Sequence, residues 1–189
     1  GYVGRYDGPL YHDPQPPPAC DVLICESTYG DRNHPDVDLL DSLSEVVNRS
    51  IARGGVMVMS SFAVGRAQKL IDLLQVLMHE ERLPDFPIYL DSPMSVDATH
   101  IYRDYHADHD LTEGDLDNEH SVLNGPRLHL AKSVAASKQI NEVRGPAVII
   151  SSSGMMVGGR ILHHLKKRLP DRRNTILLGG FMAYGTRGR

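Results

Sequence analysis

The chain has no tryptophan, three phenylalanines, two cysteines and no apolar stretch long enough to cross a bilayer. Each shortage removes a class of protein. Cys20 and Cys25 sit at the two ends of one short apolar run, and Cys25 reads as a small buried hydrophobe, so neither a disulfide framework nor a cysteine-held zinc cluster is expected. The opening residues Gly1-Tyr2-Val3-Gly4-Arg5 lack the basic and apolar regions of a signal peptide, so the expected location is the cytoplasm, with no membrane partner. No Gly-x-Gly-x-x-Gly follows the first apolar run and no acidic ribose partner is placed for it. That counts against the chief rival reading, a nucleotide-binding or small-molecule Rossmann-like domain.

With 189 residues and 41% hydrophobic content, the chain can bury the core of one domain or slightly more. Its apolar runs share a pattern. Asp21–Cys25 leads into Glu26-Ser27-Thr28, Val56–Met59 into Ser60-Ser61, Pro87–Leu90 into Asp91-Ser92, and Ala147–Ile150 into Ser151-Ser152-Ser153-Gly154. Parallel sheets bind ligands outside the carboxyl ends of their strands, so four polar strand ends predict one functional rim.

Between these runs, Leu39, Leu40, Leu43, Val46, Val47 and Ile51 recur at helical spacing, as do Leu70, Leu73, Leu74 and Leu77. Alternation of strand and helix predicts an α/β fold, a Rossmann-like parallel sheet with helices on both faces. Further strands are expected at Leu128–Leu130 and Thr175–Leu178, and helices near Ala135–Val143 and Arg160–Leu169. Pro14-Gln15-Pro16-Pro17-Pro18 cannot join a helix or a central strand and reads as a linker separating the first residues from the rest.

Charge is unevenly spread. The net charge is −4, yet residues 160–189 hold eight Lys or Arg against Asp171 alone, a local +7 that leaves −11 elsewhere. Such a basic third is a candidate for phosphate-backbone contact, against the blander reading of Lys166-Lys167-Arg168 as a solvated helix face. From Asp104 to His120 the chain carries seven acids, three histidines and no Lys or Arg. No ligand spacing repeats there, so no metal site is expected.

Two loops carry anion chemistry. Ser60-Ser61-Phe62-Ala63-Val64-Gly65-Arg66-Ala67-Gln68 runs from a predicted strand into a predicted helix, where free N–H groups and the positive dipole end attract anions and Arg66 adds a bidentate contact. Ser151-Ser152-Ser153-Gly154-Met155-Met156-Val157-Gly158-Gly159-Arg160 repeats the logic. Ordinary helix capping is the alternative for either loop alone.

Taken together, Glu26-Ser27-Thr28-Tyr29-Gly30-Asp31-Arg32, Ser61 to Gln68, Asp91-Ser92-Pro93-Met94, Ser153-Gly154-Met155-Met156 with Gly159-Arg160, and Gly185-Thr186-Arg187-Gly188-Arg189 resemble the β-CASP region of the metallo-β-lactamase-fold nucleases. This is the family of ribonuclease J and of the pre-mRNA cleavage and polyadenylation endonuclease subunit. The resemblance implies a domain inserted into a metallo-β-lactamase fold, with residues 1–19 a remnant of that fold plus linker and 20–189 the β-CASP domain. It implies RNA or single-stranded nucleic acid held in the cleft by Ser61, Arg66, Ser152, Ser153 and Arg160. It implies two zinc ions in the complete protein, held by a His-x-His-x-Asp-His string absent from this chain, so the chain itself is expected to hold no metal. Glu26 matches the family's acid that pairs with a histidine beyond Arg189, where it would fix the imidazole for proton transfer. Tyr2 stands where the family's Gly-Asp-x-Gly-Arg places a metal-bridging Asp. The expected partners are the nucleic acid and the metallo-β-lactamase domain of the same chain, and a homodimer is compatible. The rival within the family is a non-catalytic scaffold in an RNA-processing complex.

Overall fold

Leu43 and Val47 lie one helical turn apart, and in a computed structural model of the chain they face the core from α1, Leu39–Ala52. The Asp38 carboxylate accepts the Asp41 N–H and caps that helix. The structure describes Gly4, Tyr6, Gly8 and residues 10–105, 108–110 and 123–189. Tyr2, His106, His120 and most of the acidic segment lie outside the described residues.

After α1 come β1 (Val56–Ser60), α2 (Arg66–His79), β2 (Ile88–Asp91), α3 (Pro93–Asp104), β3 (Leu128–Leu130), α4 (Val134–Glu142), β4 (Ala147–Ser151), α5 (Ile161–Arg168) and β5 (Thr175–Leu178). The sheet order is β3-β2-β4-β1-β5 and every pairing is parallel. In register, Val58 stands between Ile149 of β4 and Ile176 of β5.

Helices cover both faces. Met57, Met59, Ile88, Leu90, Val148 and Ile150 point to the side packed by α1, α2 and α3, while Val56, Val58, Ala147 and Ile149 point to the side packed by α4 and α5. Side chains alternate along a strand, so a strand buried on both faces must be apolar throughout, and β1 and β4 read that way in the sequence. Among the described residues, helix α3 is the one element the sequence reading missed. Its start signals were present: Ser92 accepts the Ser95 N–H and Pro93 occupies the first turn.

One expected strand is not formed. Within Asp21–Cys25 no strand appears; Val22, Leu23 and Ile24 are 76%, 57% and 82% exposed, and Cys25, expected to be buried, is exposed like Cys20. An apolar run becomes a strand only when a neighbour takes its N–H and C=O groups. None of the five strands pairs with this run. Its hydrophobicity is therefore unspent on this core.

Ile149→Ala, at a site with no exposure, should lower unfolding free energy by about 2–5 kcal/mol, whereas Ile24→Ala should change it by less than about 0.5 kcal/mol. Urea unfolding of both variants checks the assignment.

Candidate functional site

Strands β1 and β4 are neighbours, yet the chain leaves them toward opposite faces, into α2 after β1 and α5 after β4. Such a divergence opens a crevice at the carboxyl end of an open sheet, the usual ligand position in this architecture. Its walls are the segments Ser61–Gly65 and Ser152–Arg160, joined by the start of α3 beside β2. The Ser61 N–H donates to the Ser151 carbonyl at 3.2 Å. Ser95 Oγ and Ser152 Oγ lie 3.4 Å apart. Gly154 sits so close to the β1 segment that a Cβ there would come within 3.0 Å of the Phe62 nitrogen. The sequence-predicted Ser61, Ser152 and Ser153 thus converge, with Arg66 at the start of α2.

Their hydrogen bonds separate their roles. Ser153 Oγ accepts the N–H groups of Val157 and Gly158 at 3.1 and 3.3 Å, so it shapes its own loop. Ser61 is 2% exposed and its Oγ has no hydrogen-bond partner among the described residues. A buried hydroxyl without a partner is disfavoured unless something binds there. Gly65 adopts φ +78°, a left-handed conformation open to glycine, and α2 begins without a side-chain cap. Its first turn carries no acidic side chain to oppose the positive dipole end. Arg66 is exposed and makes no ion pair among the described residues.

Arg160 was expected to reach phosphate, and the structure places it differently. Its Nη1 donates to Asp91 Oδ1 at 2.8 Å and to the Ala131 carbonyl at 2.9 Å, and its Nη2 donates to the Lys132 carbonyl at 2.8 Å. Asp91, at the end of β2, is fully buried; its Oδ2 accepts from Ser137 Oγ at 2.6 Å and from His164 Nε2 at 2.7 Å. Burial raises the Asp91 pKa, but the hydrogen bonds from His164, Ser137 and Arg160 outweigh it and hold the carboxyl below its ordinary value. This network ties β2, α4 and α5 together beneath the crevice. Ser137 and His164 were missed in the sequence because each stands among other polar residues on a predicted helix, with nothing to mark it as inward-facing; the strand-end Asp91 was the one legible signal.

Glu26 lies on an exposed segment. Its Oε2 accepts the Thr28 N–H at 2.9 Å, the bond that chiefly holds its pKa below the ordinary value. Tyr29 packs edge-on against Phe181, just past β5, with centroids 5.8 Å apart, which brings this loop to the same end of the sheet as the crevice. No hydrogen bond or ion pair joins Glu26 to Ser61, Arg66, Ser152, Ser153 or Arg160 among the described residues.

The basic terminal third sits largely elsewhere. Lys167 pairs with Glu142, Arg173 pairs with Asp171, and buried Arg168 donates through Nη2 to the Ile140 and Asn141 carbonyls. These cations answer the carbonyl ends of α4 and α5, at the end of the sheet opposite the crevice. Among the described residues no three His, Cys, Asp or Glu gather into a metal-holding group. Of the acidic segment, His109 is buried and its Nε2 donates to the Tyr102 carbonyl at 2.7 Å.

The model of the Beta-Casp domain family matches residues 67–189. Over its whole length the chain is 35% identical to Ribonuclease TTHA0252 of Thermus thermophilus, covering 44% of that protein. It is 34% identical to Transcription termination factor FttA of Thermococcus kodakarensis over 91% of the chain and 27% of the relative. It is 33% identical to Endoribonuclease YSH1 of Mycosarcoma maydis over 92% of the chain and 20% of the relative. The chain therefore spans less than half the length of each of these relatives.

Asp91→Asn leaves the partly buried Arg160 charge without its counter-ion and breaks a network centred on a fully buried group, so it should lower stability by about 2–4 kcal/mol. A depressed carboxyl stabilises the fold above the unfolded pKa of about 3.9, and that contribution is lost as pH falls through the folded value. Acid titration of unfolding free energy should show this decline in the parent chain and a weaker one in Asp91→Asn.

Proposed function

Because the chain belongs to the Beta-Casp domain family, we propose that it is the nucleic-acid-holding part of an RNA-processing nuclease whose complete form hydrolyses phosphodiester bonds. The crevice between β1 and β4 carries this reading. There an uncapped helix start and Arg66, which makes no ion pair among the described residues, offer donors and positive charge suited to a phosphodiester backbone. RNA is the preferred substrate class because two of the relatives above are named as a ribonuclease and an endoribonuclease.

Zinc belongs to the complete protein in this reading, on ligands outside the chain. The described residues do not assemble a set fit to hold it, and no chemical step is drawn through it here. A metallo-β-lactamase domain of the same protein is the proposed second wall of the cleft, and the cytoplasm the proposed location. The exposed apolar run Val22–Ile24 fits a strand that pairs with that second domain, which would carry Glu26 toward the reacting centre. Glu26 then acts as a positioning residue, its carboxylate holding a histidine of the complete protein in the orientation needed for proton transfer.

Arg66→Ala should weaken binding of unrelated single-stranded RNAs about equally and flatten the slope of log affinity against log salt by about 0.7. Lys166→Ala, at the far end of the sheet, should leave affinity unchanged. Fluorescence anisotropy across a salt series checks both; loss at Lys166 without loss at Arg66 would put the nucleic acid at the wrong end for this reading. In the complete protein, Glu26→Gln should cut turnover while leaving RNA affinity and thermal stability close to the parent. Undiminished turnover would return Glu26 to its visible role of capping the Thr28 turn.

A further inference from the structure

Phe62 belongs to neither core. It is 49% exposed, although its neighbour Ser61 is almost fully buried, and it stands on the β1 wall of the crevice four residues before Arg66. The ring is nonetheless held. The Ser61 N–H is bonded to the Ser151 carbonyl, which fixes the backbone leading into Phe62. Gly154 supports one side of the ring, since a Cβ on that glycine would lie 3.2 Å from Phe62 Cδ2. The result is an aromatic ring with one supported side and one open side. A hollow of about 460 Å³ adjoins it, whose lining includes Phe62, Val64, Gly65 and Arg66 together with Tyr11 and His12. That volume suits a ligand of nucleotide size.

We infer that Phe62 is a stacking platform for one unpaired nucleobase, whose phosphate lies at the start of α2 beside Arg66. The inference rests on the proposed nucleic-acid reading and adds to it how bases are treated. A flat ring accepts any base face, so the platform is tolerant of sequence. It also favours single strands, because the faces of bases inside a duplex are already stacked. The chemistry of the hollow supports a nucleotide over a purely apolar occupant, since a guanidinium and an uncapped helix start line it beside the same ring.

The absence of tryptophan makes the test direct, because Phe62→Trp introduces the chain's sole indole. Labelled single-stranded RNA is titrated into this chain and followed by anisotropy, while indole emission is followed in Phe62→Trp. Phe62→Ala should weaken single-strand binding about tenfold, Phe62→Trp should retain it, and RNA should quench the indole, whereas duplex RNA of equal length should quench it far less. Melting curves close to the parent's are expected for both variants because the ring is half exposed. If the parent binds RNA and Arg66→Ala weakens it, but Phe62→Ala binds as tightly as the parent and the indole is not quenched, the platform is refuted and the nucleic-acid reading stands. If the parent binds no RNA at all, both fall together.

Discussion

A carboxylate without access to water underlies the arrangement of the strand ends. Asp91 is fully buried, and its charge is tolerable only because Arg160, Ser137 and His164 converge on it. Those partners come from three separate segments: the end of the β4 loop, helix α4 and helix α5. Satisfying one charge therefore fixes where the crevice walls end. Arg160 gains a further constraint from the Ala131 and Lys132 carbonyls, which anchors the segment after β3 as well. A buried ion pair of this kind contributes less to net stability than to holding one arrangement, since its removal in part is far more costly than its presence is favourable.

The two ends of the sheet carry positive charge for different reasons. At the amino ends of β1 and β4, Lys167, Arg168 and Arg173 answer carbonyls and carboxylates of the chain itself. At the carboxyl ends, Arg66 stands at an uncapped helix start with no ion-pair partner among the described residues. Net charge by segment pointed to the first group, yet chemical availability points to the second. Affinity for a polyanion follows from uncommitted cations and donors, not from their number along the chain.

Much of the fold was legible in the sequence because parallel strands buried on both faces must be continuously apolar. β1, β4 and the short β3 and β5 were read nearly to the residue, and α1 and α2 from their 3.6-residue spacing. Asp21–Cys25 shows the limit of the same rule. Its apolar run looks like a core strand, but the groups that would pair with it are not among this sheet's strands, and no pattern in one segment reports what its neighbour is. The two loops singled out in the sequence lie side by side at the strand ends. The commitment of Arg160 to Asp91 was not legible, because an arginine after a glycine-rich loop looks the same whether it faces solvent or a buried carboxylate, and its partner is 69 residues away.

The central claim is that the β1 and β4 strand ends, and not the basic opposite end, receive the nucleic acid. Amide chemical shifts of the 15N-labelled chain during titration with a short single-stranded RNA would measure this residue by residue. The account predicts shifts concentrated at 61–66 and 152–159, with the signals of 141–144 and 166–173 unmoved. Shifts confined to the second group, with the first unchanged, would contradict it.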